Sequence, residues 1–216
     1  MEYWMMLSKL SGGMLTTIAI FGLTLLFSMP LGMVITFGRM SKNKLIRSIS
    51  KVYISIMRGT PLMLQVMVVY FGPYYLLKLQ ISSTYRFTAV IIGFVLNYAA
   101  YFAEIYRGGI ESMPVGQYEA AKLLGYSRTQ TFFRIILPQV IKRILPSVTN
   151  EVITLVKDTS LAMVIAVSEM FTIAKALASS TTSMAPYVAA GIFYYVFNFL
   201  VAWGMEKIEH KMNYYR

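Results

Sequence analysis

The chain has 216 residues, 57% hydrophobic and 13% charged, with no cysteine, one histidine and a net charge of +11. Charge at about half the frequency of a soluble domain leaves too little polar surface to cover a globule in water, and so much apolar content excludes a disordered chain. Without cysteine there are no disulfides, thiol nucleophiles or cysteine-based zinc sites, and the lone His210 leaves nothing for histidine triads or paired-histidine metal sites.

The composition is that of an all-α integral membrane protein, in which a bilayer core of about 30 Å takes roughly 17–25 apolar residues per helix. The first apolar run, residues 12–38, carries no charge and holds Pro30 near its middle, which neighbouring helices can accommodate. With no basic stretch or small-residue cleavage site before it, this run is expected to be a retained span and not a signal peptide. The second run is 61–77, with Pro61 suited to a helix's first turn. The third, 87–103, is closed by Glu104 and Arg107. A fourth begins near Ile144, is interrupted by Glu151, Lys157 and Asp158, and continues through 161–167. The fifth is 185–205, flanked by Lys207. Five spans put the termini on opposite sides.

The basic residues orient them. With the N-terminus outside, Arg39, Lys42, Lys44, Arg47, Lys51 and Arg58 fall inside. So do Arg107, Lys122, Arg128, Arg134, Lys142 and Arg143, together with Lys207, Lys211 and Arg216. Lys9, Lys78 and Arg86 fall outside, and Lys157 and Lys175 are ambiguous. The excess of cytoplasmic lysine and arginine selects N-out, C-in. This clustering between apolar runs also argues against nucleic acid as a partner and for membrane lipid. Aromatic residues at run edges fit interfacial belts: Tyr3, Trp4, Tyr74, Tyr75, Tyr85, Trp203, Tyr214 and Tyr215. The 16 methionines suit irregular gaps between helices, and His210 reads as a solvated tail residue.

Between spans three and four, residues 111–143 read as two short helices joined by a glycine, within a single membrane domain covering 1–216. Pro114 precedes a helical window at 117–124, which Gly125 ends at the position where positive φ is cheap. Ser127-Arg128-Thr129-Gln130 is a capping box leading into Phe132, Phe133, Ile135 and Ile136, and Pro138 either stops that helix or starts the next. Helices this short are unstable alone in water, so the membrane domain or a docked partner must hold them. A plain structural elbow explains the segment equally well at this point.

Glu119-Ala120-Ala121, Gly125 and Ile135-Ile136-Leu137-Pro138 match E-A-A-x-x-x-G-x9-I-x-L-P. This is similar to the coupling motif of ATP-binding-cassette importer permeases. Arg58-Gly59-Thr60-Pro61-Leu62 with Gln65 resembles the R-G-T-P-L segment of permeases for polar amino acids. Asn97-Tyr98-Ala99-Ala100-Tyr101 through Glu104 and Arg107-Gly108-Gly109-Ile110 resembles their third span, and Lys157-Asp158-Thr159-Ser160-Leu161 their fourth-span K-D-T-S-L element. The blocks cover nearly the whole chain after span one, in matching order. The resemblance implies a type I ATP-binding-cassette importer permease fold, in the bacterial cytoplasmic (inner) membrane. It implies a pairing with a second permease chain, identical or not, and an extracytoplasmic binding protein that delivers the solute. Residues 119–125 would dock in a groove of a cytoplasmic ATPase dimer, where Glu119 favours its helix's N-terminus or pairs with a basic residue of the partner. Glu119, Ala120, Ala121, Gly125 and Pro138 are thereby the candidate coupling residues. The chain lacks G-x-x-x-x-G-K-[ST], so no cofactor is expected in it, and ATP and magnesium belong to the partner ATPase.

Ionisable groups at membrane depth are costly enough for each to be a functional candidate. Asn97, Tyr101 and Glu104 share one face of span three, and Glu151, Thr154 and Asp158 share one face of span four. The acids suit an ammonium, while Lys157 or a helix N-terminus near Ser160 suits a carboxylate, which leans toward a cationic or neutral amino acid. Each has a structural alternative. Glu104 can pair with Arg107, Asp158 can pair with Lys157 or cap a helix, Asn97 and Tyr101 can bond neighbouring helices, and Arg58-Gly59-Thr60-Pro61 can be a span-entry turn. Competing functions are the same machine for another small polar solute such as an opine or osmolyte, and a self-contained channel or ion-coupled transporter. An intramembrane enzyme ranks last, for want of catalytic groups.

Overall fold

The computed structural model describes residues 2–212 and contains helices without strands among them; Tyr214, Tyr215 and Arg216 lie outside the described residues. Three helices are long and apolar enough to cross a membrane, and two bent helix pairs bring the count to five if each pair is one span.

The first of the three, α1 (Glu2–Arg39), runs straight through the expected span and the residues before it. One face is small or hydroxylated and buried: Gly13, Thr17, Thr24, Ser28, Gly32 and Thr36. Its Gly13 and Thr17 lie against Met170, and its Gly32 and Thr36 lie against α4 (Tyr85–Glu111). A Cβ on Gly32 would stand 2.9 Å from Phe102 Cβ and 3.1 Å from the Ala99 carbonyl oxygen, and Thr36 Oγ1 donates to the Ala103 carbonyl at 3.1 Å. Close backbone approach by small residues is how helices associate where lipid tails remove the hydrophobic drive.

The run expected as the second span lies in a bent pair. Residues 44–59, which the sequence marked only by their charges, form α2 (Lys44–Gly59), and the apolar run forms α3 (Leu62–Leu77), turned from it by 109°. Pro61 stands one residue earlier than expected, as the N-cap of α3 and not in its first turn. A proline biases the residue before it to extended backbone, and Thr60 obliges at φ −124° and ψ 149°. The sequence signal for α2 was its apolar spacing, Leu45, Ile49, Val52 and Ile56 on one face.

After α4, the helix α5 (Val115–Leu123) and α6 (Arg128–Thr131) lead into α7 (Leu137–Asp158). The second short helix is not a separate piece. It continues into α7 through a π-helical turn, Phe132–Ile136. Pro138 has no N–H and its ring crowds the carbonyl four residues back. A wider turn accommodates it, with Leu137 N–H donating to the Phe132 carbonyl. Pro138 thus does not stop the second short helix; it stands in the first turn of α7, as one of the two expectations had it. The charges at Glu151, Lys157 and Asp158 that punctuate the fourth apolar run do not break the helix, for α7 runs on to Asp158 and tightens into a 3₁₀ segment, Thr159–Ile165. Thr159 and Ser160 drive the tightening by donating to the carbonyls of Val156 and Lys157, at 2.7 and 2.8 Å. The chain then breaks at Ala166 (φ 55°) and re-enters as α8 (Met170–Thr181), which the sequence did not announce, bent 58° from the preceding segment. The last helix, α9 (Ala185–Met212), carries the fifth run and the solvated His210, with Glu206 beside it at 3.6 Å.

The core gathers on α4, whose Val90, Phe94, Tyr98 and Phe102 are buried together with Val66, Val152, Leu155 and Ala162 from α3, α7 and the 3₁₀ segment. Met29, Met33, Met67 and Met205 pack around it.

Candidate functional site

Helices α4 and α7 meet through Tyr98, and not through the expected face of Asn97, Tyr101 and Glu104, whose contacts lie elsewhere. Tyr98 of α4, buried, donates its hydroxyl to Asp158 at 2.7 Å. Glu151 lies two turns back on the same face of α7, within electrostatic reach of Asp158 and of Arg58 from α2. Thr154 turns inward on its own helix and donates to the Asn150 carbonyl at 2.9 Å. Lys157 is exposed, and no ion pair joins it to Asp158 among the described residues; the partner of Asp158 is Tyr98. The helix N-terminus expected near Ser160 does not exist, because the 3₁₀ segment continues from α7 with no free turn of N–H groups there.

On α4, Asn97 faces the α2–α3 elbow. Its amide donates to the Met57 carbonyl at 3.0 Å and to Gln65 Oε1 at 2.9 Å. Gln65 in turn donates to the carbonyls of Met57 and Thr60, at 2.9 and 3.1 Å, and to the Thr60 hydroxyl at 2.8 Å. The carbonyls that a sharp bend strips of helical partners are satisfied in this way. Glu104 receives both the Nε and Nη2 of Arg107, at 3.0 and 2.7 Å, with Arg39 and Arg58 each 3.9 Å away. Arg107 also bridges to Glu111. The Glu104–Arg107 pair is the structural alternative, enlarged to three arginines. Tyr101 presents its ring to Arg58, 5.2 Å from the guanidinium carbon.

The 119–125 segment stands clear of this site. Helix α5 begins two residues before its expected start, so Glu119 lies beyond the first turn and does not serve the helix dipole there. Glu119 and Ala120 are exposed, and Ala121 alone is buried. Gly125 takes φ 79°. Its N–H donates to the Lys122 carbonyl at 3.1 Å, and Tyr126 N–H donates to the Ala121 carbonyl at 3.0 Å, the paired bonds of a Schellman ending. Ser127 and Gln130 then exchange the two capping-box bonds, 3.2 and 2.9 Å. The turn is closed at both ends while its apolar side chains stay out: Val115 is 70% exposed and Leu123 90%.

Two groups escaped sequence reasoning. Tyr98 sat in a quoted motif without a role, since only the fold brings it to Asp158. Glu169, fully buried, caps α8 by accepting from the N–H groups of Phe171 and Thr172, at 2.6 and 2.7 Å. It also accepts from the hydroxyls of Thr172 and Tyr194, at 2.8 and 3.0 Å. Its one sequence signal was an acid standing alone in apolar surroundings.

The family model of binding-protein-dependent transport system inner membrane components matches residues 28–214. The chain is 36% identical to the L-cystine transport system permease protein TcyB of Bacillus subtilis (strain 168) over 208 residues, 95% of this chain and 87% of that one. It is 39% identical to the octopine transport system permease protein OccM of Rhizobium radiobacter over 186 residues, 82% and 76% of the two chains. Among solved structures, a chain of an amino acid ABC transporter crystallised with histidines superposes with a TM-score of 0.86 at 30% identity, over 94% of each chain. The chain therefore belongs to the family of binding-protein-dependent transport system inner membrane components, and is a membrane-embedded permease subunit of an ATP-binding-cassette importer, a transport component and not an enzyme.

Proposed function

We propose that this permease carries an amino acid across the bacterial cytoplasmic membrane as one half of a two-chain pathway. It is a single domain of five spans, counting each bent pair once, with its N-terminus outside and its C-terminus in the cytoplasm; the distribution of lysine and arginine supports this orientation. A binding protein delivers the solute from outside. A cytoplasmic ATPase dimer, which holds the ATP and magnesium, drives the cycle. The relatives named for cystine and the crystallised amino-acid transporter support the substrate class. The relative named for octopine supports a second reading, in which the solute is an opine.

The solute lies against the polar residues of α4 and α7. Glu151 and Asp158 take its ammonium, with Tyr101, Asn97, Glu104, Thr154, Lys157 and Ser160 around them. Half-exposed in one protomer, Glu151, Thr154 and Asp158 become walls of a pathway once a second chain faces them.

Helix α5 carries the proposal. A nine-residue helix is too short to persist alone in water, yet this one is closed at its C-terminal end by the Schellman bonds and leaves Tyr118, Glu119, Leu123 and Leu124 exposed. A rigid knob of small and apolar residues projecting from a membrane domain fits a groove on a partner. In it Glu119 meets a basic residue, Ala120 and Ala121 allow close approach, and Gly125 and Pro138 return the chain to the membrane. The tagged chain, purified gently from its own cell, is expected to bring down a stoichiometric P-loop ATPase that Glu119→Lys releases. An oligomer without ATPase, carrying flux in an ion gradient alone, would refute the reading in favour of a self-contained channel or transporter.

A further inference from the structure

An amino acid has two charged ends, and the faces of α4 and α7 supply acids more readily than bases. Lys157, the basic residue on that part of α7, is exposed. A better-held cation stands on a different element. Arg58 occupies the last turn of α2, immediately before the 109° bend into α3. The bend is fixed by the Asn97 and Gln65 bonds to the carbonyls of Met57 and Thr60, which bracket Arg58 in the chain. The backbone that carries the guanidinium is therefore pinned to α4.

The guanidinium itself is not spent. Its nearest acid, Glu104, is 3.9 Å away and already gives both oxygens to Arg107. Arg58 donates no hydrogen bond to any described residue, and its side chain is 45% exposed. It lies over the Tyr101 ring, its central carbon 5.2 Å from the centroid, a cation–π contact that occupies no N–H donor. Glu151 of α7 lies within electrostatic reach of the guanidinium and of Asp158. Five donors in a fixed fork, on a clamped backbone, match a carboxylate in both geometry and charge.

We infer that Arg58 is the receptor for the substrate's carboxylate. The solute inserts between Arg58 on α2 and the acids of α7, its carboxylate on the guanidinium edge and its ammonium toward Glu151 and Asp158. The span-entry turn thus becomes one wall of the site. This inference deepens the amino-acid reading above and rests on it.

The test uses the assembled importer with its binding protein in proteoliposomes, probed with a panel of radiolabelled L-amino acids that includes cystine, arginine, histidine and glutamine. For whichever member the wild type carries, Arg58→Gln is expected to cut maximal uptake by about tenfold or more, the loss of one strong charge-assisted contact. The ATPase still co-purifies with this variant. Arg58→Lys, which keeps the charge without the fork, retains clearly more uptake than Arg58→Gln. Uptake by Arg58→Gln within about twofold of wild type, a change under about 0.5 kcal/mol, overturns the inference. So does an equal loss in the lysine and glutamine variants, which marks Arg58 as a merely structural tie. A wild type that carries no member of the panel overturns the amino-acid reading itself, and this inference with it.

Discussion

Replacing Glu169 by alanine tests whether one buried carboxylate holds helix α8. The side chain is fully buried and accepts from two backbone N–H groups and two hydroxyls at 2.6–3.0 Å. Truncation leaves the N–H groups of Phe171 and Thr172 without their acceptor, while the hydroxyl of Tyr194 keeps Thr159 and Thr17 beside it. At about 1 kcal/mol for each unsatisfied donor, the low end of the range, the loss is about 2 kcal/mol. The capping contribution of Glu169 to α8 is already inside that figure and is not added again. For a chain of this size, about 2–4 °C per kcal/mol turns this into a fall of about 4–8 °C in melting temperature. Thermal unfolding of the purified subunit in detergent, followed by intrinsic fluorescence, measures it. Glu169→Gln, which keeps the shape and one acceptor oxygen but turns an NH₂ toward the donors, is expected in between. Lys175→Ala, on the exposed side of the same helix, serves as control and shifts by no more than about 1 °C, as surface substitutions do. A Glu169→Ala melting curve indistinguishable from wild type would refute the assignment of this network as the support of α8.

Three other outcomes follow from the same geometry. Gly125→Val forces a β-branched residue into φ 79°, at a cost of about 1–2 kcal/mol; ATPase co-purification is expected to fall, whereas Gly125→Asn, tolerant of that conformation, preserves it. Gly32→Val places a Cβ 2.9 Å from Phe102 Cβ and 3.1 Å from a backbone oxygen, so overpacking of about 1–3 kcal/mol lowers the melting temperature, while Gly22→Ala, with nothing within 4 Å, leaves it unchanged. Tyr98→Phe removes the hydroxyl that Asp158 accepts at 2.7 Å; a hydrogen bond to a charged group is worth about 1.5–3 kcal/mol, and reduced uptake at normal membrane abundance is the expected result, with unchanged uptake counting against a role for the pair.

Much of this molecule is legible from its residues in order, because the forces that set those features are local or imposed by the bilayer. The uncharged run before Arg39, the run after Phe87 and the run after Ala185 each became a long helix, since lipid offers the backbone no other partner. The Schellman ending at Gly125 and the capping box at Ser127 were equally plain, as each is closed within a few residues. Tertiary structure decided the rest. A bend of 109° at Gly59–Pro61 depends on Gln65 and on Asn97, the latter 40 residues from its acceptor at Met57. The continuation of α6 into α7 depends on a π turn, a compromise between a proline and a helix that packing on α4 keeps intact. Asp158 reads in the chain as the neighbour of Lys157, yet the fold gives it to Tyr98, 60 residues away. Glu169 reads as an acid out of place, and becomes the acceptor for α8 and α9 together. Sequence spacing specifies which residues share a face; which faces meet is settled where buried polar groups must find partners, and those partners lie on other helices.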